Sequence, residues 1–175
     1  MLYRKFTPFP DLSTERLTLR QLSEADQHEV LVLRSDNQVN KYLERAPAQS
    51  LEEAVSFIHM INANTGNGDA IYWGITITGS NKIIGAICLF NFSDKDNKCE
   101  IGYELGSPYQ GKKIMMEAAQ IVIAYGLRVI GLKRMDACTH KANEASVRLL
   151  EKLKFQKSAG CATTNEDFHL FSLVA

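Results

Sequence analysis

The sequence predicts an α+β fold: one mixed, mostly antiparallel central sheet with helices on both faces. Three observations lead there. Three β-rich runs follow one another in the middle of the chain, at 71–78, 83–91 and 99–105, joined by short polar turns. A strand–helix–strand order comes after them, which requires a crossover and at least one parallel pairing. No repeat, low-complexity tract or Pro/Gly-rich linker divides the 175 residues, so a single domain over 1–175 is expected.

Each element has its own warrant. Arg16 to Arg20 alternates polar and apolar residues, the mark of a half-buried strand. Ser23 starts a helix with Glu24 and Asp26 in its first turn and apolar Val30, Leu31 and Leu33 beyond. Ser50 with Glu53 makes a capping box, and Val55, Ile58 and Ile61 carry a second helix to an expected stop at Asn64 and Gly66. Gly79 to Lys82 reads as a hairpin turn inside the β meander, and Ser93 to Lys98 as a charged loop. From Ile114 to Leu127 the only charge is Glu117, which predicts a buried helix. A strand over Met135 to Thr139, an amphipathic helix over Asn143 to Leu153, a short strand near Phe155 and a strand over Phe168 to Val174 complete the chain.

Composition excludes several classes. Twenty Lys and Arg balance twenty Asp and Glu, so no net positive field marks a nucleic-acid partner or an anionic membrane. No apolar run approaches the roughly 20 residues that span a bilayer. The first ten residues lack the apolar stretch of a secretory signal, and a cytoplasmic protein is expected. Of the four cysteines, Cys88, Cys99 and Cys138 sit in strand-like runs and Cys161 does not, and no CxxC pair is present. Free buried thiols are the expected reading. Cys138 and His140 are two ligands without a second pair, so no metal is expected.

Chemistry concentrates in Cys99 to Glu117, CEIGYELGSPYQGKKIMME. A strand ends at Gly106 and Pro108, and a loop of Gln110, Gly111, Lys112 and Lys113 leads straight into a long helix. Free amides and partial positive charge at such a helix start bind phosphate, and the two lysines add full charges. A nucleoside-triphosphate loop is excluded. In GSPYQGKK the hydroxyl that holds magnesium is replaced by Lys113, and Pro108 removes a donor. Glu100 and Glu104 share one face of the preceding strand, because side chains alternate with period 2. A carboxylate at a strand end beside a phosphate site suits a general base. Asn143 and Ser146 open the last helix, Asn143 as its N-cap.

In this order and spacing, the segments TERLTLRQL, EIGYEL, YQGKKIMMEA and NEASVRLLEKLKF resemble the GNAT superfamily of acyl-CoA-dependent N-acyltransferases, with the ribosomal-protein N-acetyltransferases as the most similar branch. The resemblance implies a sheet splayed at its middle strands, with acetyl-CoA as co-substrate in the opening. Its arm pairs with backbone near Tyr103 and Leu105, its pyrophosphate sits on the amides of Gln110, Gly111, Lys112, Lys113, Ile114 and Met115, and Asn143 bonds the arm. It further implies a primary amine as acceptor, on a peptide N-terminus or a small molecule, attacking the thioester directly. Glu100 matches the family's base first and Glu104 second, the Leu105 amide serves the oxyanion, and Ser146 protonates the leaving thiolate. A homodimer is a family expectation, and a non-catalytic acyl-CoA-binding module is the alternative function. Lys113 and Lys154 stand where relatives carry glycine. If either position demands positive φ, a lysine there is strained. Glu44, Glu52 and Glu53, on or near the first two helices, are candidates for an acidic cleft that would suit a cationic amine.

Overall fold

Among the described residues eight strands form one sheet in the order β1-β2-β3-β4-β5-β6-β8-β7, and every neighbouring pair is antiparallel except β5 and β6. The strands are β1 (Leu12–Ser13), β2 (Leu17–Arg20), β3 (Ile71–Ile77), β4 (Ile83–Ser93), β5 (Lys98–Leu105), β6 (Arg134–His140), β7 (Gln156–Ser158) and β8 (Phe168–Val174). The helices are α1 (Gln27–Ser35), α2 (Asn37–Asn40), α3 (Leu51–Asn67), α4 (Ile114–Tyr125) and α5 (Glu144–Lys152). The structure is a computed structural model, and it describes residues 1–160 and 165–175. Among the described residues no helix is long and apolar enough to cross a membrane.

Strand alternation sorts the side chains into two layers. One face of β2 to β6, with Leu17, Leu19, Trp73, Ile87, Leu89, Ile101 and Met135, packs on α4 and α5 through Ala118, Ala119, Val122 and Leu150. On the other face Ile83 meets Val30 of α1 and Ala54, Ile58 and Ile61 of α3, with Tyr72 packed against this smaller core. Helix α4 is buried as its composition predicts, and Glu117 has a use. Its carboxylate accepts from the Thr14 hydroxyl and from Arg16 Nε at 2.7 Å, tying the helix to the corner between β1 and β2.

The meander β3-β4-β5 and the crossover to β6 match the sequence reading. Two helix boundaries differ from it. Helix α3 runs past Asn64 and Gly66, because its buried face continues from Ile58 and Ile61 to Thr65, whose hydroxyl finds its partner in the Ile61 carbonyl at 2.9 Å. It stops at Gly68, where φ is 76°. There, and not at Gly66, the helix end needs the left-handed conformation that favours glycine. The stretch from Ser23 to Leu43 is split. Asp36 ends α1 and its carboxylate accepts from the amides of Gln38 and Val39 at the start of α2. In the expected capping box the Ser50 hydroxyl accepts from the Glu53 amide at 3.2 Å, but the Glu53 carboxylate accepts from Gln49 rather than Ser50.

Free thiols are found at Cys88 on β4 and Cys99 on β5, and burial pushes the Cys88 thiol up to about 12. At Cys138 the expectation fails, because that cysteine is disulfide-bonded. The expectation for Cys161 lies outside the described residues.

Candidate functional site

The cleft begins where β5 and β6 part. Their pairing runs only from Lys98↔Arg134 to Glu100↔Asp136, yet β5 continues to Leu105 and β6 to His140. The Gly106 amide donates to Ile84 on β4. Alternate residues present their peptide groups to opposite neighbours, so Tyr103 and Leu105 turn theirs toward the side that β6 has left. The Leu105 carbonyl accepts from the Gln110 side chain at 2.9 Å. On the β4 side Gly85 permits the approach of β5, since a Cβ there would lie 2.6 Å from the Glu104 carbonyl oxygen.

The resulting cavity, of about 570 Å³, is lined by the end of β5, the starts of α4 and α5, and the segment Gln38–Leu43 across the mouth. That volume lies within the usual range for small-molecule sites. The mouth segment is pinned at several points. The Ser107 hydroxyl donates to Asp36 at 2.9 Å, and it is the main influence holding that carboxyl below its usual range. The Tyr42 ring stacks on His140 at 5.4 Å, and Asn165 donates to Glu44 at 2.6 Å.

One end of the cavity is built for an anion. Its walls carry Lys41, Lys113, Arg148 and Lys152 against a single acidic lining residue, Glu104. At the start of α4 no side chain caps the helix, so its first amides, Ile114, Met115 and Met116, face this cavity without helical partners. The Gln110 amide is already bonded to the Ser107 carbonyl at 3.3 Å, so the free amides of this loop begin at Gly111. Lys112 does not line the cavity, and its ammonium lies over the Tyr109 ring instead. These free amides and cations suit the phosphates of acetyl-CoA.

The two lysines in glycine positions both take the left-handed conformation, with φ 61° at Lys113 and 70° at Lys154. A residue with a Cβ pays about 1–2 kcal/mol there. Lys113→Gly is therefore expected to raise stability by about 1 kcal/mol, after the added freedom of the unfolded chain is subtracted. Denaturant unfolding of the two proteins measures this, and a lowered midpoint would contradict it.

Of the expected catalytic residues, the structure brings Glu104 and Ser146 to the cavity but not Glu100. Glu100 sits at the last paired position of β5 and β6, where its carboxylate accepts from Asn91 Nδ2 at 2.9 Å. The Ser146 hydroxyl is hydrogen-bonded to the Tyr103 hydroxyl at 2.8 Å, linking β5 to α5. Burial pushes the Tyr103 phenol up to about 12, so it keeps its proton at neutral pH. Asn143 caps α5, with its side-chain oxygen accepting from the Ser146 amide at 3.2 Å, and its NH₂ group remains to serve the cavity. Glu44, Glu52 and Glu53 line no part of the cavity.

Two partners of Glu104 were not legible in the sequence. Arg45 donates to one carboxylate oxygen at 2.5 Å and the Tyr72 hydroxyl to the other at 3.1 Å. Burial, with the Glu104 charge second, raises the Tyr72 phenol well above its ordinary value, which keeps it a donor. Arg45 lies in an irregular segment with no motif. Tyr72 reaches Glu104 only through the register that sets Tyr72 opposite Cys88, and Cys88 opposite Gly102.

The chain was compared with known proteins. The family profile described as the acetyltransferase (GNAT) domain matches residues 16–156. A Bacillus licheniformis protein named uncharacterized N-acetyltransferase p20 is 37% identical over 147 residues, covering 83% of this chain and 82% of that one. The ribosomal protein uS5-alanine N-acetyltransferase of Escherichia coli is 28% identical over 166 residues, covering 89% and 82%. Among solved structures, the ribosomal L7/L12 α-N-protein acetyltransferase RimL, in complex with coenzyme A, superposes with a TM-score of 0.82 at 21% identity. That match covers 94% of this chain and 98% of the other.

Proposed function

Since the chain belongs to the GNAT acetyltransferase family, we propose that it moves the acetyl group of acetyl-CoA onto a primary amine, on a peptide N-terminus or a small molecule. The observation that carries this reading is the joint lining of one cavity by Glu104, the Tyr103–Ser146 hydroxyl pair and the uncapped start of α4.

Acetyl-CoA supplies the activated thioester, and the chain supplies position and proton transfer. A primary amine on an alkyl chain is protonated at neutral pH, with a pKa near 10, so a base must take a proton before it attacks. Glu104 is the carboxylate on the cavity wall, and Arg45 and Tyr72 fix its orientation from behind. The Leu105 amide, turned to the open side of β5, is the donor for the oxyanion that attack creates. Ser146 gives a proton to the departing thiolate. The Tyr103 hydroxyl beside it donates in turn, and a donor that itself accepts a hydrogen bond is strengthened. Asn143 and the amides from Gly111 to Met115 hold the donor molecule. The acceptor enters past the segment Gln38–Leu43.

A thermal melt tests the first step. With acetyl-CoA at about 100 times its dissociation constant, the protein should gain about 2.7 kcal/mol, a shift of several degrees. ATP with magnesium should give none. Mass spectrometry of amines and peptides incubated with the protein and acetyl-CoA then reads acetyl transfer. Equal shifts with both nucleotides, or none with acetyl-CoA, would overturn the reading.

A further inference from the structure

We propose that Arg34 recognises the acceptor, its guanidinium binding a carboxylate carried by the same molecule that presents the amine. This rests on the acetyltransferase reading and narrows it to anionic amines.

The residues behind Glu104 form a closed ring. Arg34, in the last turn of α1, lies with its guanidinium carbon 3.8 Å from the centre of the Phe57 ring. Phe57 meets Tyr72 edge to face at 5.5 Å, and Tyr72 donates to Glu104. Glu104 pairs with Arg45, whose Nε donates to Asn40 Oδ1 at 2.7 Å. Asn40 Nδ2 closes the ring by donating to the Arg34 carbonyl at 2.8 Å.

Charge within the ring does not balance. It holds two guanidiniums and one carboxylate, and Arg45 takes the carboxylate. Among the described residues the Arg34 guanidinium makes no hydrogen bond or ion pair, and its nitrogens keep contact with solvent although the side chain is half-buried. Burial and, next, the Arg45 charge push its pKa below the ordinary arginine value, with the nearby Glu104 charge opposing them only in part. A half-buried, unpaired guanidinium stacked on an aromatic ring is an anion receptor in waiting. The excess is one positive charge, which fits a carboxylate rather than a phosphate dianion. Glu104 lines the cavity and takes the amine end, and Arg34, in the same ring but outside the lining, takes the carboxylate end. One molecule serving both must join an amine to a carboxylate, as a free amino acid or an acidic peptide N-terminus does.

Initial rates with acetyl-CoA test this on two arms. One compares free α-amino acids with their carboxamides. The other compares peptides beginning with Asp or Glu with their Asn or Gln counterparts, so the arms separate the two sources of carboxylate. For the unaltered protein kcat/KM should favour the carboxylate by about tenfold or more, the size of one charge-assisted hydrogen bond. In Arg34→Gln that ratio should fall close to one, and Arg34→Lys, keeping charge without the planar fork, should lie between. Ligand-free melts establish that both variants are folded. A ratio near one on both arms, or a ratio unmoved in Arg34→Gln, overturns the proposal. If no acceptor is acetylated, the transfer reading fails by itself, and Arg34 is judged by melts with CoA plus N-acetyl amino acids or their amides. A shift specific to the carboxylates and lost in Arg34→Gln supports the proposal, and no such shift overturns it.

Discussion

Replacing Glu104 by glutamine is expected to lower kcat for acetyl transfer by about 10²–10⁴-fold, the usual contribution of a general base. Glutamine keeps the size of the side chain and an oxygen for Arg45, and its NH₂ group can donate to the Tyr72 hydroxyl oxygen, so the wall of the cavity is retained while its proton acceptor is lost. The pH dependence carries the diagnosis. With Glu104 in place, the rate should already be high at neutral pH, because the carboxylate takes the amine's proton within the site, and it should climb with pH far less steeply than that of the variant. In Glu104→Gln the residual rate should simply follow the fraction of free amine, so raising the pH restores part of the loss. Glu100→Gln, which alters a residue away from the cavity, should cost much less. If Glu100→Gln were the more damaging change, the base would be assigned to the wrong carboxylate.

The largest effect on stability is expected at Trp73. Its side chain is fully buried, its indole N–H donates to the Pro10 carbonyl at 2.8 Å, and its ring meets Tyr125 and Phe9 edge to face. This one side chain therefore holds the N-terminal segment and the end of α4 against β3. Trp73→Ala removes the packing and strands the Pro10 carbonyl, and should cost about 3–5 kcal/mol. Against a total of about 5–15 kcal/mol, that brings the protein near its stability limit, and melting should fall by about 2–4 °C for each kcal/mol. Trp73→Phe, which keeps much of the volume but not the donor, should cost less. Equal midpoints for Trp73→Ala and the unaltered protein in a denaturant titration would contradict this account.

Most of the sheet is legible because period-2 alternation and turn residues are local signals, as at Leu17–Arg20 and Gly79–Lys82. The helix ends are less so. Asn64 and Gly66 cost a helix about 1 kcal/mol each at most, and the buried face that continues to Thr65 carries α3 past them to Gly68. The uncapped start of α4 is also legible, since a loop running into a helix start is a sequence-local feature. What the sequence does not show is the back of the site. The preference for Glu104 over Glu100 depends on where β6 leaves β5, and the ring of Arg34, Asn40, Arg45, Phe57 and Tyr72 joins four separate segments of the chain. The disulfide at Cys138 likewise has no local signature in a chain without CxxC.

The parting of β5 from β6 also has an evolutionary consequence. Peptide groups at Tyr103 and Leu105 are part of the main chain, so no ordinary substitution deletes them, and only proline removes the N–H. A donor site written in the backbone is inherited almost unchanged through sequence drift. The mouth of the cavity, made of side chains such as Val39, Tyr42 and Leu43, can be rewritten one codon at a time. Descendants of such a fold can acquire new acceptors while the acyl donor stays the same.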